Sequence, residues 1–177
     1  DDKYNPSYVE NLMAYTKNAK RPLIFFTDYA EIRDGNIVES NKLLRIKRIM
    51  LFILRPKSMW GSRFARRRVL SMGSPICCPS ITYYKPNLME PVFLNGFRSN
   101  EDWEAEERIS QLDGEFIFCN KILTYHRIHE DSETSKIIHD SKRSEEDYAM
   151  YRKFWPSGIA RILTKLYSSS EKSNNIK

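Results

Sequence analysis

Chemistry-bearing residues gather at three places in the chain. Asp1-Asp2 opens it, Asn100-Glu101-Asp102-Trp103-Glu104 stands far downstream, and Tyr125-His126-Arg127-Ile128-His129 leads on to Ser132 and Thr134. Neighbouring aspartates suit Mg²⁺ or Mn²⁺, which take one or two protein carboxylates and complete their shell with phosphate and water. On a strand, Tyr125, Arg127 and His129 alternate onto one face. The guanidinium there suits phosphate oxygens and the imidazole a metal ion. His126 falls on the opposite face and reads as structural, and His139 has no visible role. Asp102 shares a helical face with Ala105, Ile109 and Leu112, at i+3, i+7 and i+10, so it points inward. Burial raises such a carboxyl and the helix N-terminus lowers it, a balance that suits a base for a hydroxyl proton. Each motif also has a plain explanation: a solvated turn for Asp1-Asp2, capping for Asp102, a strand-end hydrogen bond for the histidine.

The elements that must position these groups follow from periodicity. Pro6 to Lys20 reads as a helix with Tyr8, Leu12 and Tyr15 at helical spacing. Leu23–Thr27 is apolar on both faces, the mark of a buried strand, and Asp34-Gly35-Asn36 turns it into a short hairpin ending near Ser40. Leu43, Ile46, Met50 and Ile53 form the expected inward stripe of a helix stopped by Pro56, with Lys42, Arg45, Lys47 and Arg48 on its polar side. A second basic helix, from about Ser58 to Ser71, carries Arg63 and Arg66-Arg67-Arg68. Pro75 and Pro79 confine 76–84 to an irregular or edge strand. Glu101 to Leu112 is a helix closed by Gly114, and Phe116 to Ile128 is a strand broken about Asn120-Lys121. A capping-box start at Ser144 opens a helix with Tyr148, Tyr151 and Trp155. Pro156 interrupts it, Ile159, Ile162, Leu163, Leu166 and Tyr167 rebuild an apolar stripe, and Ser168 to Lys177 is a polar tail. The mixture predicts an α/β or α+β domain.

The 177 residues, 41% apolar and 29% charged, describe one globular domain. A net charge of +6 favours anionic partners, among them nucleotide diphosphates, anionic lipid and nucleic acid. Three cysteines, two adjacent and none in C-x-x-C spacing, exclude a disulfide framework and a zinc site and favour a reducing, cytoplasmic setting. Six glycines form no phosphate loop, no G-x-S-x-G elbow is present, and the run Ile49–Leu54 is too short to span a bilayer.

In this order, the motifs resemble the inverting family 2 glycosyltransferases of bacterial cell-surface polysaccharide synthesis. Asp1-Asp2-Lys-Tyr-x-Pro6 is similar to the end of that family's D-x-D-D-x-Y-x-P segment, and Phe25-Phe-Thr-Asp-Tyr-Ala-Glu31 to the strand after it. Gly73-Ser-Pro-Ile-Cys-Cys-Pro-Ser80 resembles the acceptor-side segment. Gly96-Phe97 with Glu101-Asp102-Trp103-Glu104 resembles G-F-x-x-x-E-D-x-E, and Tyr125-x-Arg127-x-His129-x-x-Ser132 the later Y-R-x-H-x-x-S. The resemblance implies a partial GT-A fold, a mixed sheet flanked by helices, lacking its N-terminal nucleotide-binding segment. It implies catalytic-domain chain over 1–142, a helical extension over 143–168 and a tail over 169–177. Asp102 would then be the catalytic base, Asp1 and Arg127 would meet the donor diphosphate, and Glu101 and Trp103 would lie on the acceptor side. Asp1, Asp2 and His129 would hold Mn²⁺ or Mg²⁺. Implied partners are a nucleotide-diphospho-sugar and a glycan or lipid-linked acceptor. The location is cytoplasmic, at the inner face of the membrane through the basic helices. A non-catalytic sugar-binding module and a nucleic-acid-binding domain built on the two arginine-rich helices are the competing readings. The sequence further predicts that Leu23–Thr27 takes its neighbours from upstream of Asp1 and otherwise exposes an apolar edge.

Overall fold

The computed structural model describes residues 2–128 and 141–172. Its elements are β1 (Lys3–Tyr4), α1 (Tyr8–Thr16), β2 (Pro22–Arg33), β3 (Asn36–Val38), α2 (Lys42–Met50), α3 (Arg63–Leu70), β4 (Ile81–Tyr83), α4 (Glu101–Ser110), β5 (Glu115–Ile128), α5 (Ser141–Arg152) and α6 (Ser157–Lys172), with short 3₁₀ turns between them. A five-stranded mixed sheet runs β1-β5-β2-β3, with β4 also on β2. The fold is α/β, and helices flank the sheet.

β2 is the centre because its residues are apolar in both phases. Ile24 and Phe26, with Phe116 and Phe118 of β5, enter a core closed by α3, α4, α5 and α6. Phe25, Ile117 and Cys119 face the other way, against Tyr8 of α1 and Trp60. Contrary to the sequence expectation, β2 finds neighbours on both edges within this chain. β5 lies parallel along one edge, while β4 covers Ile24–Phe26 and β3 covers Glu31–Arg33 on the other. The positive φ of Asp34 (49°) and Gly35 (80°) suits a tight hairpin turn between β2 and β3.

Between β4 and β3 the edge of β2 has a gap, and α2 fills it. Arg48 Nε donates to Asp28 Oδ2 at 2.7 Å and its Nη2 to the Tyr29 carbonyl at 3.2 Å. The guanidinium thus satisfies backbone that no strand reaches. This contact corrects the expected phase of α2. Leu44, Leu51 and Leu54 are the buried positions, Lys47 and Arg48 sit between them, and Ile46 and Ile49 are exposed. The helix has apolar residues on two sides, and the ion pair with Asp28 decides which side turns in.

On β5 the strand breaks where expected: two steps on β2, from Thr27 to Tyr29, match five on β5, from Cys119 to Thr124. Gly114 precedes β5 with φ +140°, and a Cβ there would stand 2.7 Å from the Arg21 carbonyl oxygen. The α5–α6 hairpin completes the main core rather than extending from it. Met150, Tyr151 and Ala160 are buried with Trp103 and Leu70, and Trp155 Nε1 donates to the Ser71 carbonyl at 2.7 Å. α6 continues as helix to Lys172, through the first part of the expected tail. No helix among the described residues is long and apolar enough to cross a membrane.

Candidate active site

The first turn of α4 is held from the C-terminal hairpin. Glu146 of α5 accepts the backbone N–H groups of Arg98, Ser99 and Asn100 at 2.9, 2.8 and 3.2 Å, and the Asn100 amide donates to Asp147 Oδ1 at 2.9 Å. Trp103 anchors the helix from inside: it is 0% exposed and its indole N–H donates to the Leu70 carbonyl at 3.1 Å. It has no surface to offer an acceptor, which corrects its acceptor-side placement; the aromatic ring is taken up by the core. Glu101 is exposed at the helix start.

Asp102 keeps partial solvent access, and its Oδ1 accepts the Trp103 N–H at 2.8 Å. Burial raises its carboxyl above the usual aspartate value. The Trp103 N–H, Lys47, its own N–H and Arg143 pull it down without cancelling the rise. The two influences read from the sequence are both present, and burial wins.

One turn along, Glu106 is 0% exposed and neither of its carboxyl oxygens has a hydrogen-bond partner among the described residues. Burial first, then the charge of Asp102, raises it well above the glutamate range, against an opposing pull from Lys47. The Tyr83 hydroxyl is likewise buried without a partner, and burial followed by Glu106, Cys78 and Asp102 raises it. Lys47 lies 5.4 Å from the centre of the Tyr29 ring. Burial opposes its charge, but Tyr29, Cys77 and Tyr167 outweigh that and hold its pKa above the usual lysine value.

Cys77 and Cys78 are where these charges converge. Cys78 is exposed, yet its thiol is pushed up to about 12, by partial burial first and then by Asp102, Glu106, Asp2 and Glu101. Cys77 is raised by burial, with Lys47 opposing and Asp2 and Asp102 adding. Both thiols stay protonated at neutral pH and are poor nucleophiles. Asp2 and Asp102, far apart in sequence, both raise these two thiols.

Asp2 is fixed by β5. Its Oδ1 meets His126 Nδ1 at 3.0 Å and accepts the Arg127 N–H at 2.8 Å. In the register, His126 lies level with Glu31 and Arg127 level with Ile32. Glu31 accepts from Asn41 at the start of α2 and Tyr29 packs on Leu44 and Cys77. Alternation therefore puts the His126 ring on the Tyr29 side and the Arg127 side chain on the other. Asp1 and His129 lie outside the described residues. Among the described residues, no group of three or more His, Cys, Asp or Glu side chains is disposed to hold a metal ion.

Two of the three clustered arginines of α3 are spent internally, and the third, Arg68, is exposed. Arg66 is 1% exposed and donates to the Gly114 carbonyl and, at 2.9 Å, to that of Leu112. Arg67 pairs with Glu107 at 2.5 Å and lies over Phe154, and Arg68 lies over Trp155.

Sequence reasoning missed Glu106, Lys47, Tyr83 and the Asp2–His126 contact. Two of these carried a signal: Glu106 is one turn from Asp102, and Leu44, Lys47, Arg48 and Leu51 share a face at i, i+3, i+4 and i+7. The other two depend on strand pairing across the chain. The chain matches no family model and no curated protein.

Proposed function

We propose that this chain carries the acceptor-side and leaving-group portion of an inverting, GT-A-type glycosyltransferase, with Asp102 as the catalytic base. The observation that supports this most is the convergence of Asp102, Asp2, Glu101 and Glu106 on the Cys77-Cys78 turn. Within that cluster Asp102 alone combines a raised pKa, partial solvent access and a helix N–H contact. Two neighbouring carboxyls of unequal burial do not ionise equally. Glu106 is wholly enclosed and raised well above the glutamate range, while Asp102 keeps solvent access and its raised value makes it a more basic carboxylate than a free aspartate.

In the proposed reaction Asp102 takes the proton of an acceptor hydroxyl as that oxygen attacks the anomeric carbon. The bond from that carbon to the diphosphate oxygen breaks, its electron pair leaves with the diphosphate, and one displacement gives inversion. Lys47 adds positive charge near Asp102 and Glu106; Arg127, on the other face of β5, takes no part in this step. Mn²⁺ or Mg²⁺, held by Asp2 with Asp1 and His129, would supply Lewis-acid stabilisation of the diphosphate. Asp2 can offer Oδ2 to an ion, since its contacts among the described residues run through Oδ1. The nucleic-acid reading loses support because Arg66 and Arg67 are engaged within the protein.

The test uses the intact polypeptide with UDP- and GDP-sugars and Mn²⁺ or Mg²⁺, reading thermal protection and release of nucleoside diphosphate. Asp102→Asn is expected to keep the protection and to lose release by about a hundredfold or more, because removing a base acts on the transition state. No protection by any donor, or equal loss of protection and release, refutes the proposal.

A further inference from the structure

The corrected phase of α2 leaves a surface with no packing role among the described residues. Ile46 (42% exposed), Ile49 (74%) and Phe52 (65%) stand three residues apart on the outer side of α2 and the 3₁₀ turn Leu51–Leu54 that continues it. Exposed cations surround them: Lys42 and Arg45 at the start, Arg55 and Lys57 at the end. Arg55 lies over the Phe52 ring at 5.3 Å, so the cation and the apolar side chain share one surface. Residues 42–57 contain six Lys and Arg and not one Asp or Glu.

α6 meets α2 at Gly73, where a Cβ would stand 3.0 Å from Tyr167 and 3.6 Å from Met50. Its single apolar stripe, as read from the sequence, divides in the structure: Ala160, Leu163 and Tyr167 pack inward, while Ile159, Ile162 and Leu166 remain exposed. Residues 157–167 also hold two cations and no acid.

We infer that the outer face of α2 and its 3₁₀ turn docks on an anionic lipid bilayer, with Ile46, Ile49 and Phe52 entering the headgroup boundary and Lys42, Arg45, Arg55 and Lys57 meeting lipid phosphates. Large apolar side chains framed by cations, without acids, are the composition of an interfacial helix. A second copy would set cations against cations. Nucleic acid would satisfy the cations and leave the apolar ridge in water. The inference stands apart from the sugar-transfer proposal, since no residue of this face belongs to the Asp102 cluster; Lys47 and Arg48 point from the same helix the opposite way.

Co-sedimentation of the full chain with vesicles tests it, comparing phosphatidylcholine alone with phosphatidylcholine containing about a third phosphatidylglycerol. The expected result is binding to the anionic vesicles that weakens with salt and is at least tenfold poorer on neutral ones. Ile49→Ser/Phe52→Ser and, separately, Arg45→Glu/Arg55→Glu are each expected to lower binding at least tenfold. All four side chains are exposed, and circular dichroism checks that each variant keeps its fold. Equal binding to neutral vesicles, no binding, or variants that bind like the parent overturn the inference. So does a vesicle-inert protein whose self-association in gel filtration is abolished by Ile49→Ser/Phe52→Ser.

Discussion

Glu106 makes the folded protein sensitive to pH in a way that one substitution isolates. In the unfolded chain its carboxyl titrates near the ordinary value of 4.5, while burial and Asp102 raise it well above that in the fold. Below pH 4.5 both states hold the proton and stability is complete. Above it the unfolded state releases the proton and the folded state keeps it, so stability falls as pH rises until the folded pKa is passed. The slope for one proton is about 1.4 kcal/mol per pH unit, which for a chain of this length is roughly 3–6 °C in Tm per unit. Glu106→Gln keeps the shape and removes the titration. It should therefore gain on the parent by about that amount per unit through this window, while the two proteins stay near a constant offset at pH 4. Other titrating groups, Asp102 included, tilt both curves and largely cancel in the difference. Thermal or urea melts at half-unit steps from pH 4 to 7 give the answer. Parallel curves would mean that Glu106 ionises in the fold with a partner, and the reasoning from its burial would fail.

Gly114→Ala should cost roughly 2–4 kcal/mol, because the new Cβ meets the Arg21 carbonyl at a φ unsuited to alanine; chemical denaturation measures it. Arg48→Met strands Asp28 and the Tyr29 carbonyl and should cost about 2–4 kcal/mol. Adding Asp28→Asn should return part of that loss in a double-mutant cycle. If Asp102 is the base, kcat/KM should fall as pH drops through a folded pKa above the usual aspartate range, since burial raises it. A pH–rate profile flat through the acid side would remove Asp102 from the reaction.

Much of the fold was legible because the relevant signals are local. The all-apolar run of β2, the Asp34-Gly35 turn, the prolines flanking β4 and the interruption at Asn120-Lys121 each act over a few residues. The phase of α2 was not legible, because Leu43, Ile46, Met50 and Ile53 make as good a stripe as the one containing Leu44 and Leu51. The deciding term is the reach of Arg48 to Asp28, a contact between distant parts of the chain. The half-buried placement of Asp102 was legible because its helical phase and first-turn position both mark it. Trp103 was misplaced for the same local reason: nothing near it announces that Leu70, Tyr151 and Tyr167 close over it.

The mismatch of two steps against five between β2 and β5 makes the length of the 120–123 stretch itself carry information. Its surplus of three is odd, so the strand beyond it is turned over relative to the strand before it. Deleting a single residue there would alter no functional side chain, yet it would bring Arg127 to the position where His126 now meets Asp2. Selection on this chain would then tolerate changes of residue type between Cys119 and Thr124 more readily than a change in their number.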